Sequence, residues 1–338
     1  MQAIGFTKHL PITNEESLMA FNLPSPKPKP HDLCVQVTAV SVNPVDVGVR
    51  KGGRGQSKTP RILGWDAVGI VTGIGNAVTL FKPGDRVFYV GDFKRPGSNS
   101  EYQLVDERIV AKAPQNLTDA QAAAMPLTAL TAWEALFEKL HIDFEDRTTN
   151  HDQTILIING AGGVGSIATQ LAHLAGLHVI ATASRPETQK WALAHGADQV
   201  VNHHQSLIEQ AHALGYQTVD YILELNNIDQ HWESMARLIK PNGRIASITE
   251  NHRPVDLQKL TKKRVEFAWE WVFSKTYYQT TDLASQGIIL GQIATLLEQN
   301  KLQSTLTKCL SPISAANLRQ AHQLVETNQM IGKVVVAN

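Results

Sequence analysis

Gly160, Gly162 and Gly165 stand in the spacing G-x-G-x-x-G, with Gly163 and Val164 filling the gap. This pattern can hold a pyrophosphate when a strand enters the turn and a helix leaves it. The first glycine allows a tight turn, the second lets backbone N–H groups approach the phosphates, and the third lets the helix pack close to the strand. The helix N-terminus adds partial positive charge. Both flanks have the right composition. Ile155 to Ile158 is a short run of Ile and Leu, suited to a strand buried on both faces. Beyond the turn, Ile167, Leu171, Leu174 and Ala175 recur at helical spacing, and Gly176 stands where a C-terminal cap belongs.

The choice of dinucleotide is read at the end of the next strand, Leu177 to Ala181. A carboxylate there usually binds the ribose 2′-OH of NAD. This chain has Ala183, Ser184 and Arg185 instead. A hydroxyl and a guanidinium suit a 2′-phosphate, which a carboxylate would repel. Glu187 falls in the first turn of the following helix, where the helix dipole accounts for it. The expected cofactor is NADPH.

These residues need a scaffold, and the chain has material for about two domains in 338 residues. Hydrophobic residues make up 43% and charged residues 18%, the balance of a globular core former. Lys plus Arg equals Asp plus Glu at 31 each, so there is no electrostatic reason to expect a nucleic-acid or anionic-membrane partner. Two distant cysteines, Cys34 and Cys309, argue against a disulfide framework. No leader-like or membrane-spanning run is present, so a cytoplasmic location is expected.

Residues up to about 126 read as short strands with Gly and Pro punctuation, implying a small, partly open barrel. From about 118 the period turns helical. Past the glycine motif, strands near 199–201, 219–223, 243–248 and 267–272 alternate with helices, which implies an α/β doubly wound parallel sheet. A helix over about 283–299 precedes a tail ending Lys333-Val334-Val335-Val336, expected to return to the barrel.

The chain is similar to the medium-chain dehydrogenase/reductase superfamily along its whole length, most of all to its quinone oxidoreductase branch, which includes the zinc-type alcohol dehydrogenase-like proteins. The matching pieces include 41–46 (Ser-Val-Asn-Pro-Val-Asp), 62–69, 81–87, 126–132, the glycine turn and 196–201. The resemblance implies a GroES-like catalytic domain over 1–126, completed by 300–338, and a Rossmann dinucleotide-binding domain over 127–299. It also implies that Asn43 and Thr131 sit beside the nicotinamide, with Asn43 donating through its amide, and that His203 flanks the adenosine. Trp65, Tyr89 and Trp133 become candidates for an apolar substrate slot, although isolated aromatics are more often core. Asp46 is expected near the same pocket, holding Arg50 or a backbone turn rather than acting as an acid.

Zinc-dependent relatives carry Cys at the position of Asn43 and Gly-His-Glu where this chain has Gly64-Trp65-Asp66. A catalytic zinc needs three Cys, His or carboxylate ligands, and no such set is spaced here. No metal is expected. Without a Lewis acid, reducing an electron-poor acceptor is easier than oxidising an alcohol. The expected activity is NADPH-dependent reduction of a quinone, or of the C=C bond of an α,β-unsaturated carbonyl. The alternatives are a zinc-type alcohol dehydrogenase acting on C–OH and a non-catalytic NADPH-binding redox sensor. Family likeness further implies a homodimer joined through the edge strand Phe267 to Phe273, with single-subunit core packing as the competing reading.

Overall fold

The alternating strands and helices that follow the glycine turn form a six-stranded parallel sheet. Its order is Gln199–Val201, His178–Thr182, Thr154–Ile158, Val219–Glu224, Ile239–Ser247 and Glu266–Trp269. The first strand in sequence lies inside the sheet, and the chain reverses direction across it, the doubly wound arrangement whose ligands bind at the carboxyl ends beside the reversal. A computed structural model describes all residues 1–338. It separates into two units, Met1–Leu130 with Phe273–Asn338, and Thr131–Val272.

In the second unit, Ile155 to Ile158 are buried completely or nearly so, as a strand covered on both faces requires. The helix Ile228–Leu238 shows how the faces are covered. Ile228, Trp232, Met235 and Ala236 share one side and pack into the core formed with Leu156, Ile222 and Ile245. Asn227 opens this helix, accepting from the Gln230 N–H at 3.1 Å.

In the first unit, the strand Asp32–Val42 is the hub. It pairs antiparallel with Asp66–Ile74, Tyr102–Asp106 and Lys333–Ala337. Register shifts at Cys34/Val35 and Val37/Ala39 bend it so that one strand can serve three partners. A separate three-stranded sheet joins Met19–Asn22, Gln2–Lys8 and Gln56–Ile62. The tail strand Lys333–Ala337 therefore completes this unit.

The units divide at residues 130/131 and 272/273, so residues 273–299, assigned above to the dinucleotide-binding domain, belong to the first unit. The reason is local. The helix Ser285–Glu298 lies against Glu107–Ile109 and Val110–Lys112, where Gly287 comes so close that an added Cβ would sit 2.4 Å from the Arg108 carbonyl oxygen. Helical spacing identifies this helix but does not tell which core receives it.

Candidate dinucleotide and active sites

The glycine turn has the expected strand–turn–helix form, with Gly162 capping the helix Gly163–Leu174. The N–H groups of Gly163, Val164 and Gly165 open that helix and have no acceptor within it, which leaves donors for an anion. The glycines meet their demands in a way that spacing alone did not show. Asn159, not a glycine, takes the left-handed conformation, at φ +71°. Gly160 is required by contact, since a Cβ there would lie 2.6 Å from the Ala181 Cβ on the neighbouring strand. At Gly165 a Cβ would meet the Asn159 carbonyl oxygen at 2.1 Å, so only glycine lets the helix pack this close.

Ser184 and Arg185 follow the carboxyl end of the second strand, half-buried, as the sequence places them. The Arg185 guanidinium already pairs with Glu187 at 3.3 Å. His203 Nδ1 lies 3.1 Å from Thr182 Oγ1, which in turn accepts from the Asn159 N–H at 2.9 Å. Burial lowers the His203 pKa, with His204 and His231 adding to the effect, so its ring is neutral near pH 7. Arg185 thus carries the positive charge at this end. Glu224, unnoticed in the sequence, is fully buried where the fourth strand ends. It accepts from the N–H groups of Asn226 at 2.7 Å and Asn227 at 2.6 Å, and from Ser247 Oγ at 2.9 Å. It shapes the turn beside the reversal point.

The first unit holds a buried polar group made of Asn43, Asp46, Asp66 and Lys333. Asn43 precedes the helix Pro44–Lys51, with its N–H on Asp46 Oδ2 at 2.9 Å. Asp46 Oδ1 accepts from the Gly64 N–H at 3.0 Å. Asp46 therefore holds two backbone turns. It does not hold Arg50, whose guanidinium serves the Leu10 carbonyl and Glu326. Burial pushes the Asp46 carboxyl up to about 7.

Asp66 Oδ1 accepts from the Leu127 N–H at 2.7 Å, and Oδ2 accepts from Asn43 Nδ2 at 2.8 Å and Lys333 Nζ at 3.0 Å. Lys333 Nζ also donates to Asn43 Oδ1. The Lys333 side chain is 4% exposed and that of Asp66 0%. Burial pushes the Asp66 carboxyl up, while the lysine charge pulls against it. Asn43 is consequently held on both sides of its amide. Its NH₂ serves Asp66 and, at 3.4 Å, the Ser41 carbonyl. The donation to substrate expected of Asn43 finds no spare N–H in this arrangement, since both acceptors of its NH₂ are protein groups.

These residues do not fit a zinc ion. Where relatives place ligands, the chain puts an amide, an indole and a carboxylate already joined to an ammonium, and no group of three His, Cys, Asp or Glu side chains gathers elsewhere.

The other predicted residues differ in their local surroundings. Tyr89 is core, buried completely in the strand Arg86–Val90, and burial drives its hydroxyl pKa up. Trp133 packs edge-on against Phe137 at 4.7 Å within the second unit. Thr131 is buried in the helix Pro126–Trp133, at the first position of that unit. Trp65 lines a cavity of the first unit with Phe93 and Tyr277. Also missed was a buried acid pair of the second unit. Burial first, and then Glu134, push the Glu270 carboxyl up to about 9.

Residues 29–115 match the alcohol dehydrogenase GroES-like domain family, and residues 163–286 the zinc-binding dehydrogenase family. The chain belongs to the medium-chain dehydrogenase/reductase superfamily, and it is an oxidoreductase-family protein. Within that class it is 44% identical over 336 residues to a zinc-type alcohol dehydrogenase-like protein of Staphylococcus epidermidis, covering 99% of each chain. A crystal structure from Rhizobium etli, provisionally named a zinc-dependent alcohol dehydrogenase, is also 44% identical, with a TM-score of 0.94 over 100% of this chain and 98% of that one. An NADPH-dependent alkenal/one oxidoreductase of Arabidopsis thaliana is 27% identical over 93% of this chain and 74% of its own. No helix is long and apolar enough to cross a membrane.

Proposed function

We propose that the chain is an NADPH-dependent reductase of quinones or of the C=C bond of α,β-unsaturated carbonyls, working by direct hydride transfer without metal. The observation that carries this reading is the Lys333 ammonium bound to both Asn43 and Asp66, which replaces the open ligand set that alcohol activation by zinc needs. The name of the Arabidopsis relative supports the enone class.

Bound NADPH would supply the hydride. The N–H groups that open the helix Gly163–Leu174 bind its pyrophosphate, and Arg185 and Ser184 bind the 2′-phosphate. His203, beside Thr182, contributes a ring hydrogen bond at this end. Asp46 and Lys333 hold Asn43 rigid, and Thr131 contributes its hydroxyl beside the nicotinamide. Cytoplasmic location and homodimerisation through the edge strand belong to the same proposal.

A steady-state screen of NADPH and NADH oxidation against ortho-quinones, para-quinones, enones and aldehydes tests it. Turnover confined to quinones or enones with NADPH favoured is the expected result. Turnover of aldehydes alone would overturn it.

A further inference from the structure

A cavity of about 480 Å³ opens in the first unit, a volume suited to a small ligand. Its wall is aromatic. Trp65 stacks on Phe93 at 5.1 Å and an interplanar angle of 12°, and Tyr277 stands 6.5 Å from Phe93. Phe273 backs both Trp65 and Phe93, at 5.6 and 5.3 Å.

Its charge is one-sided. Arg61, Lys94 and Arg95 line it, and no Asp or Glu does. Arg95 is spent on a two-pronged contact with Asp32, at 2.9 and 2.8 Å. Arg61 and Lys94 form no ion pair. The Arg61 guanidinium lies 5.7 Å from the centre of the Phe93 ring, and Lys94 Nζ lies 3.8 Å from that of Tyr277 while donating to the Tyr277 carbonyl at 2.6 Å. A cation over an aromatic face at an accessible site gains only about 0.5–1 kcal/mol, so an anion can draw it away. The chain as a whole is neutral, so two unpaired cations in one concavity are a local feature.

We infer that this cavity binds a planar conjugated carboxylate, its ring system against the Phe93–Tyr277 wall and its carboxylate between Arg61 and Lys94.

Calorimetry on the full chain with 1-naphthoate, and with the neutral isostere 1-naphthamide, tests the binding without any redox step. Naphthoate is expected to bind about tenfold tighter than naphthamide at low salt, the gap closing as ionic strength rises. Arg61→Gln and Lys94→Gln, both at exposed positions, are each expected to weaken naphthoate about fivefold and leave naphthamide unchanged. Equal affinity for the two probes, no binding of either, or variants that lose both probes alike would overturn the inference. An absence of NADPH oxidation with every acceptor would instead defeat the reductase reading, while naphthoate binding that depends on Arg61 and Lys94 would still stand.

Discussion

Replacing Lys333 by Met removes the sole ammonium bonded to Asp66 and Asn43 while keeping a side chain of similar length. Both partners are almost wholly buried, so water cannot take over the lost contact. Breaking a buried pair from one side costs about 3–5 kcal/mol, mostly because the remaining charge is uncompensated. Removing that charge as well, in Lys333→Met/Asp66→Asn, should return at least about 2 kcal/mol, since neutral replacement of a whole buried pair is far less harmful. The effect must also depend on pH. Lys333 holds down both Asp66 and Asp46, whose carboxyls burial pushes up, so its loss raises both further. A carboxyl raised in the folded state binds protons that the unfolded chain has released. Stability therefore falls as pH rises from the ordinary carboxylate range towards the raised folded value, by up to about 1.4 kcal/mol per pH unit per group. Urea unfolding of the four proteins of the cycle between pH 5 and 8 gives these numbers. A loss under about 1 kcal/mol for Lys333→Met, with its pH curve parallel to the wild type, would show that no buried ion pair exists there.

Arg185→Asp should lower NADPH affinity at least about tenfold while leaving NADH nearly unchanged, read by fluorescence titration. Glu187→Gln removes one carboxylate that competes with the 2′-phosphate for Arg185 and should tighten NADPH about twofold, in the opposite direction. Glu270→Gln should flatten the decline of stability with pH between about 4.5 and about 9, because the wild-type carboxyl keeps its proton in the folded state across that window. Thermal unfolding at pH 6 and 8.5 shows this as a stabilisation that is larger at the higher pH. Gly48→Ala should raise stability by about 0.5–1 kcal/mol, since that residue lies inside the helix Pro44–Lys51 with open space around a new Cβ.

What was legible in the sequence was local. The Ile155–Ile158 run, the glycine spacing and the periodic stripe beyond it each depend on neighbours within a few residues, and they led to the right strand, turn and helix. Lys333 was hidden because its role depends on pairing of the tail with Asp32–Val42: Val334 lies opposite Val42, which brings Lys333 beside Asn43 from 290 residues away. Glu224 and Glu270 carry no local signal in the sequence, and only packing shows them buried. Tyr89 and Trp65 were indistinguishable as isolated aromatics. Both proved to be buried core, and Trp65 in addition backs a cavity whose Phe93 and Phe273 rings only tertiary structure brings to it.

The central claim is hydride reduction by a cofactor held at the glycine turn, with an ammonium where a metal's ligands would gather. Elemental analysis of purified protein, paired with NADPH-dependent enone and quinone turnover before and after exhaustive chelation, tests it most directly. The account predicts far less than one zinc per chain and unchanged turnover after chelation. One zinc per chain, with activity lost on its removal and restored on its return, would contradict it.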